Sequence, residues 1–501
     1  MAIPYLLLQT MVVPLIAAAV TYPLGRRLGR RVGWVSFAAL LYTSVLLLLA
    51  GIEIFNTGAP IREEYAWAAI IGLKFGFLAD NLSLPVALVM NAVVAATSVY
   101  SMPYMKHRLE AMFGKERADQ YPLYFVNYLL FAVGLAGVAL STNLIELYVF
   151  VELVLIPSYL LIGLFGYVDK ERIALMYFIW NHVGAFLFLA GILIVYFTSG
   201  SFNIEDMASI ARNPLAFWAV LLILVGWLFK MATFGFHVWL PWAHGEHPTS
   251  IAAIIAIIVG LGNYVIVRLL VAQLFSVFRL FGLPLMVLAV VTMFYAGYST
   301  MVQDDVKRLY AWSTIGQTAY SLLGIGSLTV LGITGGVFYF VSHIIGKCIL
   351  FSTAGILLSQ TGTRDIREMG GLAKRMPVTA IIALSGTLIL SAVPPLSGFQ
   401  AEWIMFVGIF TQGSIGSLAY GVVAVFGMIA TLFTVAYTFW PIRRIFFGPI
   451  SSAMEGVKEA PLTMTAPLLS LAAISIIIGV YPESVTRFLY PYVSGLPVLG
   501  G

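Results

Sequence analysis

Apolar residues run in long blocks along this chain, and the polar residues that interrupt them are bunched into short breaks. A block of about 20 apolar residues crosses a hydrocarbon core of about 30 Å as a helix. Reading blocks between breaks predicts fourteen spans, at 4–23, 33–54, 77–105, 121–140, 142–166, 171–199, 215–240, 248–272, 279–302, 306–329, 331–359, 377–410, 418–447 and 464–485. The first block is followed by thirteen more, so it reads as a span rather than a cleaved leader. The block at 377–410 is too long for one straight crossing, and Pro394, Pro395 and Gly398 predict a break inside it. The expected fold class is all-α, a polytopic membrane protein with about 14 transmembrane helices.

Composition sharpens this reading. Hydrophobic residues make up 61% of the 501 and charged residues 10%, against about 25% charged in a soluble domain. A water-soluble globule is excluded. One cysteine, Cys348, leaves no internal disulfide and no cysteine-ligated cluster within the chain. The net charge of +5 does not point to nucleic acid, because the basic residues punctuate the ends of apolar blocks. With the N-terminus outside, alternate loops hold nineteen Lys and Arg residues, from Arg26, Arg27, Arg30 and Arg31 through Lys307 and Arg308 to Arg443, Arg444 and Lys458. Six others (Arg62, Lys74, Arg212, Arg268, Arg279 and Arg487) fall on the opposite side. Positive-inside bias then places both termini on the outer face.

The chain also repeats itself. Leu147-Tyr148 recurs as Leu309-Tyr310, and Tyr177-Phe178 with Gly184 as Tyr339-Phe340 with Gly346, each 162 residues later. Gly235-Phe236 recurs as Gly398-Phe399 at 163. The shared offset predicts two five-helix repeats, helices 4–8 and 9–13. Five is odd, so the copies should be inverted, the construction many transporters use around a midplane site. Residues 1–120 would hold the first three spans, 121–278 one half-channel, 279–447 the other and 448–501 the last span. Helices 7 and 12 should both be broken, at Gly235 and Pro241 and at Pro394, Pro395 and Gly398.

A charge at the bilayer centre costs about 2.5–3.5 kcal/mol even on lenient scales, so ionisable residues inside spans mark function or need a partner. The candidates are Glu152, Lys230, His237, His244, His247, His343, Lys347 and Glu402, with Glu146 and Glu246 nearer the ends. Glu152 lies about ten residues into its span, near the midplane; Glu146, six residues earlier, points elsewhere and reads equally well as a solvated helix-end carboxylate. Lys230, His237 and His244 are spaced by seven and share a helical face unless the break redirects them. His343 and Lys347 are one turn apart. His182 misses the repeat by one residue and is taken as structural. Acids, amines and imidazoles spread across both repeats make the composition of a proton relay. Moving one proton against about 150 mV costs about 3.5 kcal/mol, which making and breaking one Glu–Lys contact in low dielectric can supply.

Several long strings resemble the antiporter-like subunits shared by complex I, membrane-bound hydrogenases and Mrp cation/proton antiporters. They are DNLSL at 80–84, FKMATFGFHVWLPWAHGEHPT at 229–249, QDDVKRLYAWSTIGQTAY at 303–320, TRDIREMGGLAKRMP at 363–377 and PPLSGFQAEW at 394–403. The resemblance implies that Glu152 takes the place of the family's fifth-helix glutamate and Lys230 that of its paired seventh-helix lysine. It also implies that His343 and Lys347 are central-helix relay residues. Glu402 follows Gly-Phe where the M-type subclass keeps glutamate, and no long lateral helix follows the last span, which again fits the M-type. One departure is visible: the eighth helix, where the family usually carries a lysine or histidine before a tyrosine like Tyr264, reads Val259-Gly260-Leu261-Gly262-Asn263. His247, where alanine is common, is the expected replacement.

The resulting expectation is a proton-translocating M-type subunit of a respiratory oxidoreductase complex in a prokaryotic cell membrane. No cofactor motif occurs in this chain, so redox cofactors belong to partner subunits, including neighbouring antiporter-like subunits. Two alternatives remain open: a subunit of a hydrogenase-type or Mrp-type Na⁺/H⁺ antiporter complex, and a structural subunit that no longer pumps. The residues name neither the electron donor and acceptor nor the cation, H⁺ or Na⁺.

Overall fold

The computed structural model describes residues 3–68, 70, 73–415 and 418–499. Helices α1 (Leu6–Leu28) and α2 (Gly33–Thr57) open the chain, and a two-stranded antiparallel hairpin follows, β1 (Ile61–Ala68) on β2 (Leu73–Ala79). Next come α3 (Ser83–Phe113), α4 (Gln120–Leu140), α5 (Leu144–Phe165), α6 (Lys170–Ser199), α7 (Leu215–Lys230), α8 (Trp239–Glu246) and α9 (Thr249–Val265). After the short α10 (Phe275–Phe278) the chain continues as α11 (Gly282–Met301), α12 (Val306–Gly326) and α13 (Val330–Thr361). It finishes with α14 (Pro377–Leu390), α15 (Ser397–Ile415), α16 (Leu418–Phe446), α17 (Leu462–Val480) and α18 (Glu483–Ser494).

Among the described residues, ten helical segments are long and apolar enough to cross a membrane, α1 and α2 counting as one, and α7 and α14 are shorter apolar helices. The chain is a multi-pass membrane protein. Large apolar side chains such as Ile179, Phe186 and Leu432 are exposed on the outer helices, as a lipid-facing surface requires. The centre is formed by α9 and α13, buried along nearly their whole length. Glycines let the backbones close there. A Cβ at Gly335 on α13 would stand 2.3 Å from the main-chain nitrogen of Met405 on α15.

The chain is mostly helical, as expected; the hairpin adds two short strands and moves the start of the third span, expected at 77, to Ser83. Exposure alternates along Ile61–Ala68, the two-residue period of a strand, and Arg62, Glu64 and Lys74 hold its outer face together as ion pairs.

Both breaks lie in the expected segments, with Gly235 (φ 89°) between α7 and α8 and Pro394-Pro395 between α14 and α15. The segment between α7 and α8 turns at Ala232 (φ 52°) and that between α14 and α15 at Ala392 (φ 50°). Ala232 N donates to Phe229 O and Ala392 N to Ile389 O, each at 3.3 Å. Pro241 sits in the first turn of α8, where a missing N–H costs nothing. Gly235 lies in its break while Gly398 lies inside α15, so the repeated Gly-Phe pairs occupy different places.

One hydrogen-bond pattern recurs at a fixed interval. Leu144 N donates to Phe202 O at 2.9 Å and Ile204 N to Thr142 O at 3.1 Å. Val306 N donates to Arg364 O at 3.0 Å and Ile366 N to Asp304 O at 2.8 Å, every atom 162 residues further on. Asn143 caps α5 and Asp305 caps α12 at the same interval.

Candidate functional site

Glu152 projects from the middle of α5 toward α6. Its Oε2 is 3.3 Å from Nδ1 of His182, with the two side chains 16% and 30% exposed. The His182 ring is stacked on Phe178 and edge-on to Phe186. Lys230, the last residue of α7, is buried and its Nζ reaches the Asn181 carbonyl at 3.5 Å. Glu152 is the carboxylate whose field acts on Lys230, yet the two make no ion pair within 4.0 Å among the described residues. In this structure two neighbours on α6 stand at the two groups, Asn181 at the ammonium and His182 at the carboxylate. His182, read from sequence as structural, is the group nearest the glutamate.

Lys230, His237 and His244 do not share a helical face, because the break separates them. His237 lies in the connecting segment among Phe234, Tyr295 and Trp312. His244, on α8, is buried against Phe351 with neither ring nitrogen hydrogen-bonded. The titratable groups that act on it are His247 from the end of α8 and Lys307, His343 and Lys347 from the second half of the chain. His247 caps α8. Its Nδ1 lies 2.7 Å from the Ala243 carbonyl and must donate to it, so Nε2 accepts from the Ser158 hydroxyl of α5 at 3.0 Å.

Lys307 was counted with the loop cations; the structure buries it completely. Its ammonium donates to the carbonyls of Gly245 and His247 and lies over the Tyr167 ring at 4.3 Å. The cause is the end of α8, whose last carbonyls need donors and favour positive charge. Arg364 donates to Gly245 O as well and pairs with Asp305. Arg268, likewise read as a loop residue, is buried in a π-helical turn after α9 and grips Asp80 through both terminal nitrogens at 2.7 Å. Glu146 is buried too rather than solvated; its Oε2 accepts from Asn143 Nδ2 at 3.0 Å and Gly76 N at 3.2 Å.

In the second half, Tyr339, His343 and Lys347 follow one another at single-turn intervals on α13, all buried. Lys347 donates to the Tyr310 carbonyl at 3.2 Å and to the Ser313 hydroxyl. Tyr339 donates to Gln317 Oε1, whose amide donates to Tyr437 at 2.7 Å and Thr434 at 3.2 Å. Tyr320 and Thr434 complete the network at 2.6 Å. Glu402 on α15 acts electrostatically on Tyr320, Tyr339 and Tyr437 and lines a cavity of about 590 Å³ with Ser391, Trp403 and Phe406. The hydroxyl network went unread in the sequence because it carries no charge. The available signal was Tyr339, one turn before His343 on the same face.

The region between Ser141 and Thr434 matches the family described as NADH:quinone oxidoreductase/Mrp antiporter, TM, over residues 141–434. The chain belongs to this family. An NAD(P)H-quinone oxidoreductase chain 4 2 from Synechococcus sp. (strain JA-3-3Ab) is 30% identical, over 97% of this chain and 91% of its own. NADH-quinone oxidoreductase subunit M of Rhodobacter capsulatus is 28% identical, over 96% and 94%. Among solved structures, a chain of the Mrp complex from Dietzia sp. DQ12-45-1b shares the fold with a TM-score of 0.87 at 20% identity, over 99% of this chain and 98% of that one.

In this member of the NADH:quinone oxidoreductase/Mrp antiporter family, the stretch of α9 that lacks the lysine or histidine of the resemblance is closely packed. A Cβ on Gly260 would stand 2.5 Å from the Phe340 ring and 3.7 Å from His343 Nδ1. Asn263 reaches across to the Thr318 carbonyl at 3.4 Å. Among the described residues no group of three His, Cys, Asp or Glu side chains stands close enough to hold a metal ion.

Proposed function

We propose that this chain is the proton-translocating, M-type antiporter-like subunit of a membrane oxidoreductase complex, with fourteen membrane helices, two of them broken, and two inverted repeats. The count takes α1 and α2 separately, α7 with α8 and α14 with α15 as single crossings, and adds α12. The hydrogen bonds recurring at 162 residues support the repeat, and an odd number of crossings between them supports its inversion. Residues 1–120, 121–278, 279–447 and 448–501 then form the lead helices, the two half-channels and the last span. Both termini lie on the outer face, and the membrane is that of a prokaryotic cell. Redox cofactors sit in partner subunits, among them neighbouring antiporter-like subunits.

The observation that carries the reading is where the orphaned polar atoms fall. Buried donors and acceptors without partners cost about 1–3 kcal/mol each, and in native proteins ordered water usually bridges such atoms. Here they include both His244 nitrogens, His343 Nε2, the Tyr310 and Ser342 hydroxyls and Asn263 Oδ1. They run along the same interior as Lys230, Lys347 and Glu402, the composition of a water-bridged proton path. Redox work in the partners alters whether Glu152 is held by His182 or by Lys230. Lys230 then gives up or takes a proton, which passes through the His244 node to Lys347, His343, the Gln317–Tyr339 network and Glu402.

Reconstituted complexes carrying Lys230→Ala test this. Protons moved per electron should fall while electron transfer persists; an unchanged ratio would assign the chain a purely structural role. The likeness to an Mrp complex chain favours one second reading, Na⁺/H⁺ exchange, which predicts that flux needs sodium.

A further inference from the structure

We infer that this chain holds a resident phospholipid, its phosphate on Arg487 and its acyl chains in the apolar groove between α2 and α17. The groove encloses about 820 Å³, with Leu48 and Ile52 of α2 on one wall, Ile474 and Ile477 of α17 on the other and Leu88 of α3 on its floor. α18 roofs one end. Its buried stripe Val485, Leu489 and Val493 recurs at single-turn intervals, while Tyr481 before it and Tyr490 on it are exposed. A short helix with one apolar face and flanking tyrosines belongs at the membrane–water boundary, so α18 sets the groove's end at headgroup depth.

Arg487 stands at that end. Its guanidinium lies 4.2 Å from the centre of the Phe55 ring, at the top of the α2 wall. Glu483, one turn earlier, also lines the rim, but among the described residues Arg487 forms no ion pair with it or with any other carboxylate. An exposed guanidinium held over an apolar channel complements one ligand chemistry: a phosphodiester on hydrocarbon tails. A quinone would fill the channel yet leave the guanidinium without an anion.

The test is the phospholipid content of the intact membrane complex after repeated detergent washing, measured by mass spectrometry and by phosphorus per chain. Wild type should retain one more tightly bound phospholipid per chain than either Arg487→Ala, which removes the phosphate's partner, or Ala92→Phe, which fills the groove. If Ala92→Phe does not assemble, Arg487→Gln serves as the second variant. Equal retention in wild type and variants overturns the proposal, as does a quinone in the extract that Ala92→Phe removes. Because the readout is bound lipid, a failure here leaves the proton-pumping reading standing, and a failure of pumping leaves this site standing.

Discussion

Replacing His182 by phenylalanine separates the two roles its surroundings permit. The ring's packing against Phe178 and Phe186 survives the change; the charge facing Glu152 does not. At 3.3 Å and an effective dielectric of about 20, a protonated imidazole and a carboxylate attract by about 5 kcal/mol. Both side chains keep partial access to solvent, which screens this to about 1 kcal/mol. That is less than a third of the roughly 3.5 kcal/mol needed to lift one proton against about 150 mV, so His182 can bias the carboxylate away from Lys230 without driving the step. Losing it should leave Glu152 biased toward Lys230 and slow pumping about fivefold. The assay is dye-reported acidification in vesicles containing the reconstituted complex, run with His182→Phe, Glu152→Gln and the double variant. A competing pair predicts that the double variant is no worse than Glu152→Gln alone. Pumping by His182→Phe within twofold of wild type would refute the reasoning and return His182 to a structural role.

His247→Ala should lower pumping and Ser158→Ala should reproduce part of the loss, because the 3.0 Å bond between them is the link from α8 to the helix that carries Glu152; unchanged pumping in both removes this branch from the path. Arg268→Ala leaves Asp80 buried without its guanidinium, so thermal unfolding of the purified chain should report a loss of about 3–5 kcal/mol, with Asp80→Asn similar and the double variant milder than the sum.

The long apolar spans were legible because burial inside a membrane protein and exposure to lipid both demand apolar residues; ten such segments stand out among the described residues, while α7 and α14 are too short to do so alone. The broken helices were legible from proline and glycine, and Gly235, Pro394 and Pro395 do lie in the breaks; only the left-handed turns at Ala232 and Ala392 carry no such mark. Lys307 and Arg268 were misplaced for a shared reason. Counting basic residues treats each one between spans as solvated, whereas their partners, the α8 carbonyls and Asp80, arrive from positions 60 and 188 residues away. No local pattern records such a contact. His182 failed the repeat test for a related reason: its importance comes from Glu152 on the adjacent helix, not from an equivalent residue in the other copy.

The missing titratable residue on the eighth span shows how sequence and structure divide the explanation. Read along the chain, Gly260 and Asn263 look like a gap in the relay. In space, Gly260 is the niche that admits Phe340 and brings His343 to within 3.7 Å of where its Cβ would be, and a lysine there would collide with the ring. The titratable groups of this part of the interior sit instead around the end of α8, where His244 is surrounded by His247, Lys307, Lys347 and His343. Lys307, held on the carbonyls that close α8, lies close enough to act on that imidazole. A side chain so placed can tune the node without itself carrying a proton. On this geometry the proposed relay draws its titratable groups from α8 and α13, which close on α9 without needing one from it.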